Sequence, residues 1–244
     1  MLHPEPHQSQ ATARKGYCRQ LLIPVFLIAL VAPAWGGDKS KDEETLKNAT
    51  KVLSDMLTSD KIPADTLAGA DCVIVLPNVK KFGFGIGGSG GRGPMSCRGG
   101  KDFSGKWSAP AMYTIGGASV GLQVGGSSTD YLLLIMSQKG VDAVLKGKTK
   151  LGNEATAAAG PSGATHAGTV GGADIFTYAR ASGLFVGTSL GGATLEADND
   201  ANKRLYDKAV PATEIIQGTA VKPTPGGAGL VSLLDTKLAK HRSH

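Results

Sequence analysis

Apolar residues return at helical spacing near the start of the folded part of the chain. Leu46, Ala49, Leu53, Met56 and Leu57 fall on one side of the segment Lys39 to Ser59, with Lys, Asp and Glu on the other. That spacing predicts an amphipathic helix. Ile62-Pro63-Ala64-Asp65 predicts a turn into a second short helix ending near Gly69. The pattern then changes. Cys72 to Leu76 (CVIVL) is a continuous apolar run ended by Pro77, which reads as a buried strand. Phe82, Phe84 and Ile86, and later Val120, Leu122 and Val124, alternate with small residues and predict strands. Tyr131 to Met136 (YLLLIM) predicts a further buried strand, Gln138 to Lys146 a short helix, and Ala173 to Ala179 and Leu184 to Leu195 two strands turning at Ala181-Ser182-Gly183. Asp198 to Lys208 reads as a helix with Asp198 as N-cap, and Gly229 to Lys240 as a C-terminal helix after a Pro/Gly hinge at Pro223 to Gly227. Helices, strands and helices in this order predict an α+β fold: one glycine-rich, mainly antiparallel sheet or barrel-like core flanked by N- and C-terminal helices.

Composition sharpens this picture. Glycine is 35 of the 244 residues, about twice the usual share, and 15 of them fall between Gly83 and Gly126. Interior glycine weakens a helix by about 1 kcal/mol each, so a helical bundle is disfavoured. No Gly-X-Y period exists, which excludes collagen. The alternation of Phe, Ile and Val through the glycines argues for strands whose bare faces let another backbone approach, rather than for a linker.

The first 36 residues have the layout of a secretory signal peptide. Arg14, Lys15 and Arg19 precede a 14-residue apolar run, Leu21 to Ala34, and Ala34-Trp35-Gly36 offers a cleavage site after Gly36. The expectation is an exported protein of the periplasm or cell envelope, with 37–244 as one domain. The alternative is an uncleaved membrane anchor.

Removal of the presequence leaves 23 basic and 19 acidic residues, net +4. The charge is concentrated. Lys80, Lys81, Arg92, Arg98, Lys101 and Lys106 stand against the single acid Asp102, a local +5 in a remainder of −1. A local basic surface follows. Two cysteines remain, Cys72 and Cys97, which either pair or stay as buried thiols. Without a CxxC, zinc or thiol-redox chemistry has no support.

Catalytic signatures are weak. Gly83-x-Gly85-x-x-Gly88 matches the dinucleotide string, but the glycines continue to Gly93 and Pro94 with no helix start for a pyrophosphate. Gly-x-Ser-x-Gly occurs around Ser89, Ser119 and Ser189, each followed by strand-like sequence rather than the helix a nucleophile elbow requires. A hydrolase triad would draw on His166 with Asp174 or Asp130. Asp198-x-Asp200-x-Asn202 begins like a calcium loop but has Lys203 and Ala209 where Gly and Glu are needed, so it reads as a helix start. The expectation is a protein with no enzymatic activity, cofactor or metal.

Several segments together resemble the SYLF domain family. They are Val75-Leu76-Pro77 followed by Lys81 to Gly88; Trp107-Ser108-Ala109-Pro110-Ala111; Gly121 to Gly125; Thr129 to Leu134; Ala159-Gly160-Pro161; and Tyr178 to Gly187. The match runs from about Thr45 to Tyr206. The resemblance implies non-catalytic binding of anionic phospholipid headgroups, phosphoinositides in eukaryotic members, and in yeast an actin-patch role through a protein partner. Eukaryotic members place a basic amphipathic helix at the N-terminus, where this chain has the signal-like segment. Phe82, Phe84 and Trp107 sit among the bases, where aromatics favour a membrane interface. The candidate lipid-binding set is Lys80, Lys81, Phe84, Arg92, Arg98, Lys101, Lys106 and Trp107. Arg180 and Asp130, inside the family motifs, read as a structural ion pair. A scaffold role with a protein partner docking on a sheet edge is the alternative. Nucleic acid is excluded as a partner by the scarcity of stacking aromatics in the basic stretch.

Overall fold

The first helix forms where its spacing places it. In the computed structural model, α1 spans Lys39–Thr58, with the Asp38 carboxylate accepting the Ser40 N–H at 2.9 Å as N-cap. Its apolar side buries Leu46, Ala49, Val52, Leu53 and Met56. The structure describes residues 38–100, 102–160, 173–181, 184–187, 190, 192–218 and 220–238, with backbone alone at 83–86, 118–125 and 184–187. The proposed signal segment lies outside these residues, as do His166 and Lys101.

After α1 come α2 (Ala64–Gly69), β1 (Cys72–Cys97), β2 (Ala111–Ile135), α3 (Gln138–Leu145), β3 (Lys148–Lys150), β4 (Ala157–Ala159), β5 (Ile175–Ala181), β6 (Leu184–Gly187), β7 (Thr194–Ala197), α4 (Asn199–Tyr206), α5 (Ala212–Gln217) and α6 (Pro225–Lys237). The sheet runs β3-β7-β2-β5-β4, with β1 along the other edge of β2 and β6 on β5. Every pairing is antiparallel except β4 with β5. The α+β architecture read from the sequence is therefore correct, with seven strands among the described residues.

Two boundaries differ in an instructive way. Pro77 does not end the first strand. It sits at a register shift between Leu76 and Val79, with Asn78 left-handed at φ 52°, and pairing with β2 then resumes through Met95. Proline is tolerated there because a bulge, at a sheet edge, needs no N–H donor. The strand foreseen over Leu184 to Leu195 is divided into β6, which pairs with β5, and β7, which pairs with β2. The C-terminal hinge is also a correction. Pro223 to Gly227 contains the start of α6: Thr224 caps it, Pro225 occupies the first turn, and the Glu43 carboxylate accepts the Gly226 N–H at 2.6 Å. A Cβ on Gly226 would lie 2.6 Å from the Glu43 carbonyl oxygen, so this is a tight junction.

The β1–β2 ribbon doubles back on itself. Twenty-six extended residues would span about 80 Å, yet Cys72 and Cys97 are disulfide-bonded with Cα atoms 4.0 Å apart. The halves of β1 consequently face each other at close range. A Cβ on Gly93 would fall 1.9 Å from the Val75 carbonyl oxygen.

Doubling creates two cores. Cys72, Ile74, Leu76, Tyr113, Ile115, Tyr131, Leu133 and Ile135 fill the inside of the fold, closed by Val141 and Val144 of α3 and Ile215 and Ile216 of α5. Val73, Val75, Leu132, Leu134, Phe176 and Tyr178 point the other way, beneath α1 and the Leu230 and Leu234 face of α6. The CVIVL and YLLLI runs are unbroken because both their faces are buried. Each such side chain contributes about 1.5–3 kcal/mol.

Candidate functional site

Away from these two-sided layers, β1 and β2 continue as a glycine-rich ribbon. Lys80 pairs with Ser128, Lys81 with Ser127 and Phe82 with Gly126. Lys80 is exposed, while Lys81 leans across the Tyr131 ring at 5.6 Å. Phe82 is 65% exposed, the large hydrophobic side chain left in solvent among the described residues. Its ring lies over Gly88, 3.6 Å from where a Cβ would stand. The start of the ribbon is held by the Asn78 bulge: the Asn78 N–H donates to Asp130 at 2.9 Å and the Ser128 hydroxyl to the Asn78 side chain at 3.2 Å.

The six candidate residues with described side chains do not form one surface. Lys80, Lys81 and Lys106 reach solvent, and no ion pair among the described residues includes them. Arg92 turns inward instead. It pairs with the fully buried Asp42 of α1, which also accepts Arg204 at 2.7 Å, and lies 3.9 Å from Asp198. Arg98 and Trp107 are each 5% exposed and stack at 4.6 Å, and the Arg98 Nε donates to the Ala70 carbonyl at 3.2 Å. Burial pulls both guanidinium groups below their ordinary pKa. Arg92, Arg98 and Trp107 thus take part in internal packing of the fold. Lys101 and the side chain of Phe84 lie outside the described residues. Phe82, named with Phe84 and Trp107 among the bases but left out of the candidate set, is the one the structure leaves exposed among the described side chains.

The remaining motifs resolve as follows. Arg180 reaches Asp130 and Asp55, each at 3.0 Å, so the ion pair read from the sequence exists and ties β5 to β2 and α1. Ser89 lies within β1, strand on both sides, its hydroxyl 3.5 Å from the Gly117 carbonyl. The Asp198 side chain accepts the Ala201 N–H at 2.9 Å, as a helix cap. Asp174, buried, accepts hydrogen bonds from Ser137 (2.7 Å), the Thr156 N–H (3.0 Å), the Thr156 hydroxyl (2.8 Å) and Lys139 (3.1 Å). Burial alone would raise this carboxyl; the hydrogen bonds outweigh it and hold the group well below the usual carboxylate range. No cluster of three metal-ligating side chains occurs among the described residues. Clefts of about 690 Å³ beside α3 and about 440 Å³ over Gly116 and Gly117 contain none of the candidate residues. No described helix is long and apolar enough to cross a membrane.

Comparison with known proteins adds identity to this geometry. A family model described as Ysc84, Las17-binding protein actin regulator, matches residues 116–237, half of the chain. An SH3 domain-containing protein of Schizosaccharomyces pombe is 32% identical over 210 residues, covering 80% of this chain and 48% of that protein. The human SH3 domain-containing YSC84-like protein 1 is 30% identical over 210 residues, covering 84% of this chain and 60% of its own. LAS seventeen-binding protein 3 of Saccharomyces cerevisiae is 30% identical over 217 residues, covering 84% and 46%. The chain therefore spans about half to three-fifths of the length of these relatives.

Proposed function

Since the chain belongs to the Ysc84 (SYLF) family, we propose that it is a non-enzymatic binding module that docks on anionic phospholipid surfaces through its glycine ribbon. One observation carries the reading: Lys80 and Lys81 sit in adjacent positions on an open ribbon, with no carboxylate pairing either among the described residues. Each such base contributes about 1 kcal/mol of attraction near an anionic surface. We further propose that the protein is exported and works in the cell envelope. The Cys72–Cys97 disulfide supports an oxidising compartment.

The test is co-sedimentation with vesicles of graded phosphatidylglycerol content, using the full chain and the form beginning at Gly37. Binding rises with anionic lipid and falls with salt. Lys80→Glu/Lys81→Glu lowers it by about thirtyfold or more, the value of removing two such attractions. Vesicle binding indifferent to charge and salt would overturn the reading.

A protein partner is the second reading. It is favoured by the relatives named as Las17-binding and by β1, which pairs on one side only along its described length. Strand addition to that edge would survive salt and the double Lys→Glu substitution.

A further inference from the structure

We infer that Phe82 is the apolar anchor of this docking surface, inserting at the boundary between headgroups and acyl chains while Lys80, on the same face of the strand, holds a headgroup. The inference rests on the membrane-docking reading above and adds which atoms enter the bilayer.

Four observations converge on it. Phe82 is 65% exposed in a fold that otherwise buries its large apolar side chains among the described residues. It shares a strand face with Lys80, two positions earlier, while Lys81 between them points to the other face, over the Tyr131 ring. Across the ribbon the partners of these three residues are Ser128, Ser127 and Gly126, none of which has bulk to cover the ring. And the ring rests on Gly88, where there is no side chain to grip it, so it can leave that seat without opening either core.

The occupant is set by the chemistry around the ring. A purely apolar protein pocket would strand Lys80, which no carboxylate pairs among the described residues, in a desolvated contact. An anionic bilayer instead offers a phosphate to Lys80 and an interfacial layer in which aromatic rings are favoured. With one ring and a ribbon two strands wide, insertion is shallow. The register shift between Gly83 and Gly85 lets the ribbon bend there and present Phe82 at its rim.

The experiment places a reporter on the ring. Phe82→Trp is introduced into the chain carrying Trp35→Phe, and into the form beginning at Gly37. The remaining Trp107 is 5% exposed and stacked on Arg98, so it supplies a constant background. On adding phosphatidylglycerol vesicles, the emission of the introduced indole shifts to the blue and is quenched by lipids brominated near the headgroup end of the acyl chain. In the parent chain, Phe82→Ala lowers vesicle binding about tenfold, the loss expected for one interfacial aromatic, and leaves the salt dependence unchanged. Lys80→Glu/Lys81→Glu removes the salt dependence, while the indole of Phe82→Trp still shifts at high lipid. Vesicle binding with an unshifted indole, or with full affinity in Phe82→Ala, overturns the anchor and leaves the electrostatic reading standing. Failure of the parent chain to bind any vesicle overturns both.

Discussion

A carboxylate with no exposed surface is stable only if charged partners follow it inward. Asp42 meets that condition with Arg92 and Arg204, the three residues drawn from separate elements and brought together by the fold. Asp42→Ala leaves two half-buried guanidinium groups without their acceptor. The expected loss is about 3 kcal/mol, read from urea unfolding. Asp42→Asn, which keeps the shape and part of the hydrogen bonding, should recover a fraction of it. Asp174 gives a second residue-scale prediction, this time in pH. Its folded pKa is held below the unfolded value near 3.9. Its contribution is therefore complete above about pH 4 and lost as pH falls toward the folded pKa. Asp174→Asn should be less stable than the parent by about 2 kcal/mol at pH 7, the value of hydrogen bonds to a charged acceptor. The gap should close in thermal melts taken at successively lower pH. A constant gap would mean that the carboxylate charge is irrelevant and only the packing counts.

The elements that periodicity announces are those held by one face. α1 was legible because Leu46, Ala49, Leu53 and Met56 mark a single buried stripe. The buried runs CVIVL and YLLLI were legible as strands, but not their length. Pro77 looked like a stop because nothing local announces that Asn78 will take a left-handed turn and let pairing resume. The three-residue β3 and β4 and the six-residue α5 carry too few periods to be seen. The site divides the same way. Lys80 and Lys81 were visible as charge on a strand, whereas the withdrawal of Arg92 depends on Asp42, 50 residues earlier, and that of Arg98 on Trp107 across a loop. Close approach was equally hidden: Gly93 reads like its neighbours, although a Cβ there meets the Val75 carbonyl oxygen at 1.9 Å. Gly93→Ala should destabilise by at least about 2 kcal/mol, as overpacking does. Gly90→Ala, whose nearest neighbour would stand at 4.0 Å, should be neutral or slightly stabilising. Comparing their denaturant midpoints isolates the doubling of the ribbon as the cause.

At the scale of the molecule, stability and exposure are segregated along the same two strands. Residues 73–76 and 132–135 are buried on both faces, clamped between helices and the inner core, and the disulfide fastens the ends of β1 across a separation of 25 residues. Between them, 80–89 and 117–128 have one described partner per strand, and Phe82 is the exposed ring among the described side chains. Local opening should follow that division. Amide hydrogen exchange is expected to be slow through 73–76, 132–135 and 175–178 and fast through the Lys80–Gly90 stretch and its partners on β2, with no change in the cores when the ribbon opens. Reducing the disulfide, or replacing both cysteines by Ala, should lower global stability by about 3 kcal/mol, the loop-closure value for this separation. It should raise exchange in the two ends of β1 far more than in the ribbon, which the bond does not clamp. The separation matters for function. A surface that yields locally can shape itself to a bilayer without unfolding the layers behind it. Adding anionic vesicles should therefore slow exchange in the ribbon and leave the cores as they were. Slowing confined to the helices would instead place the docking face on α1 and α6.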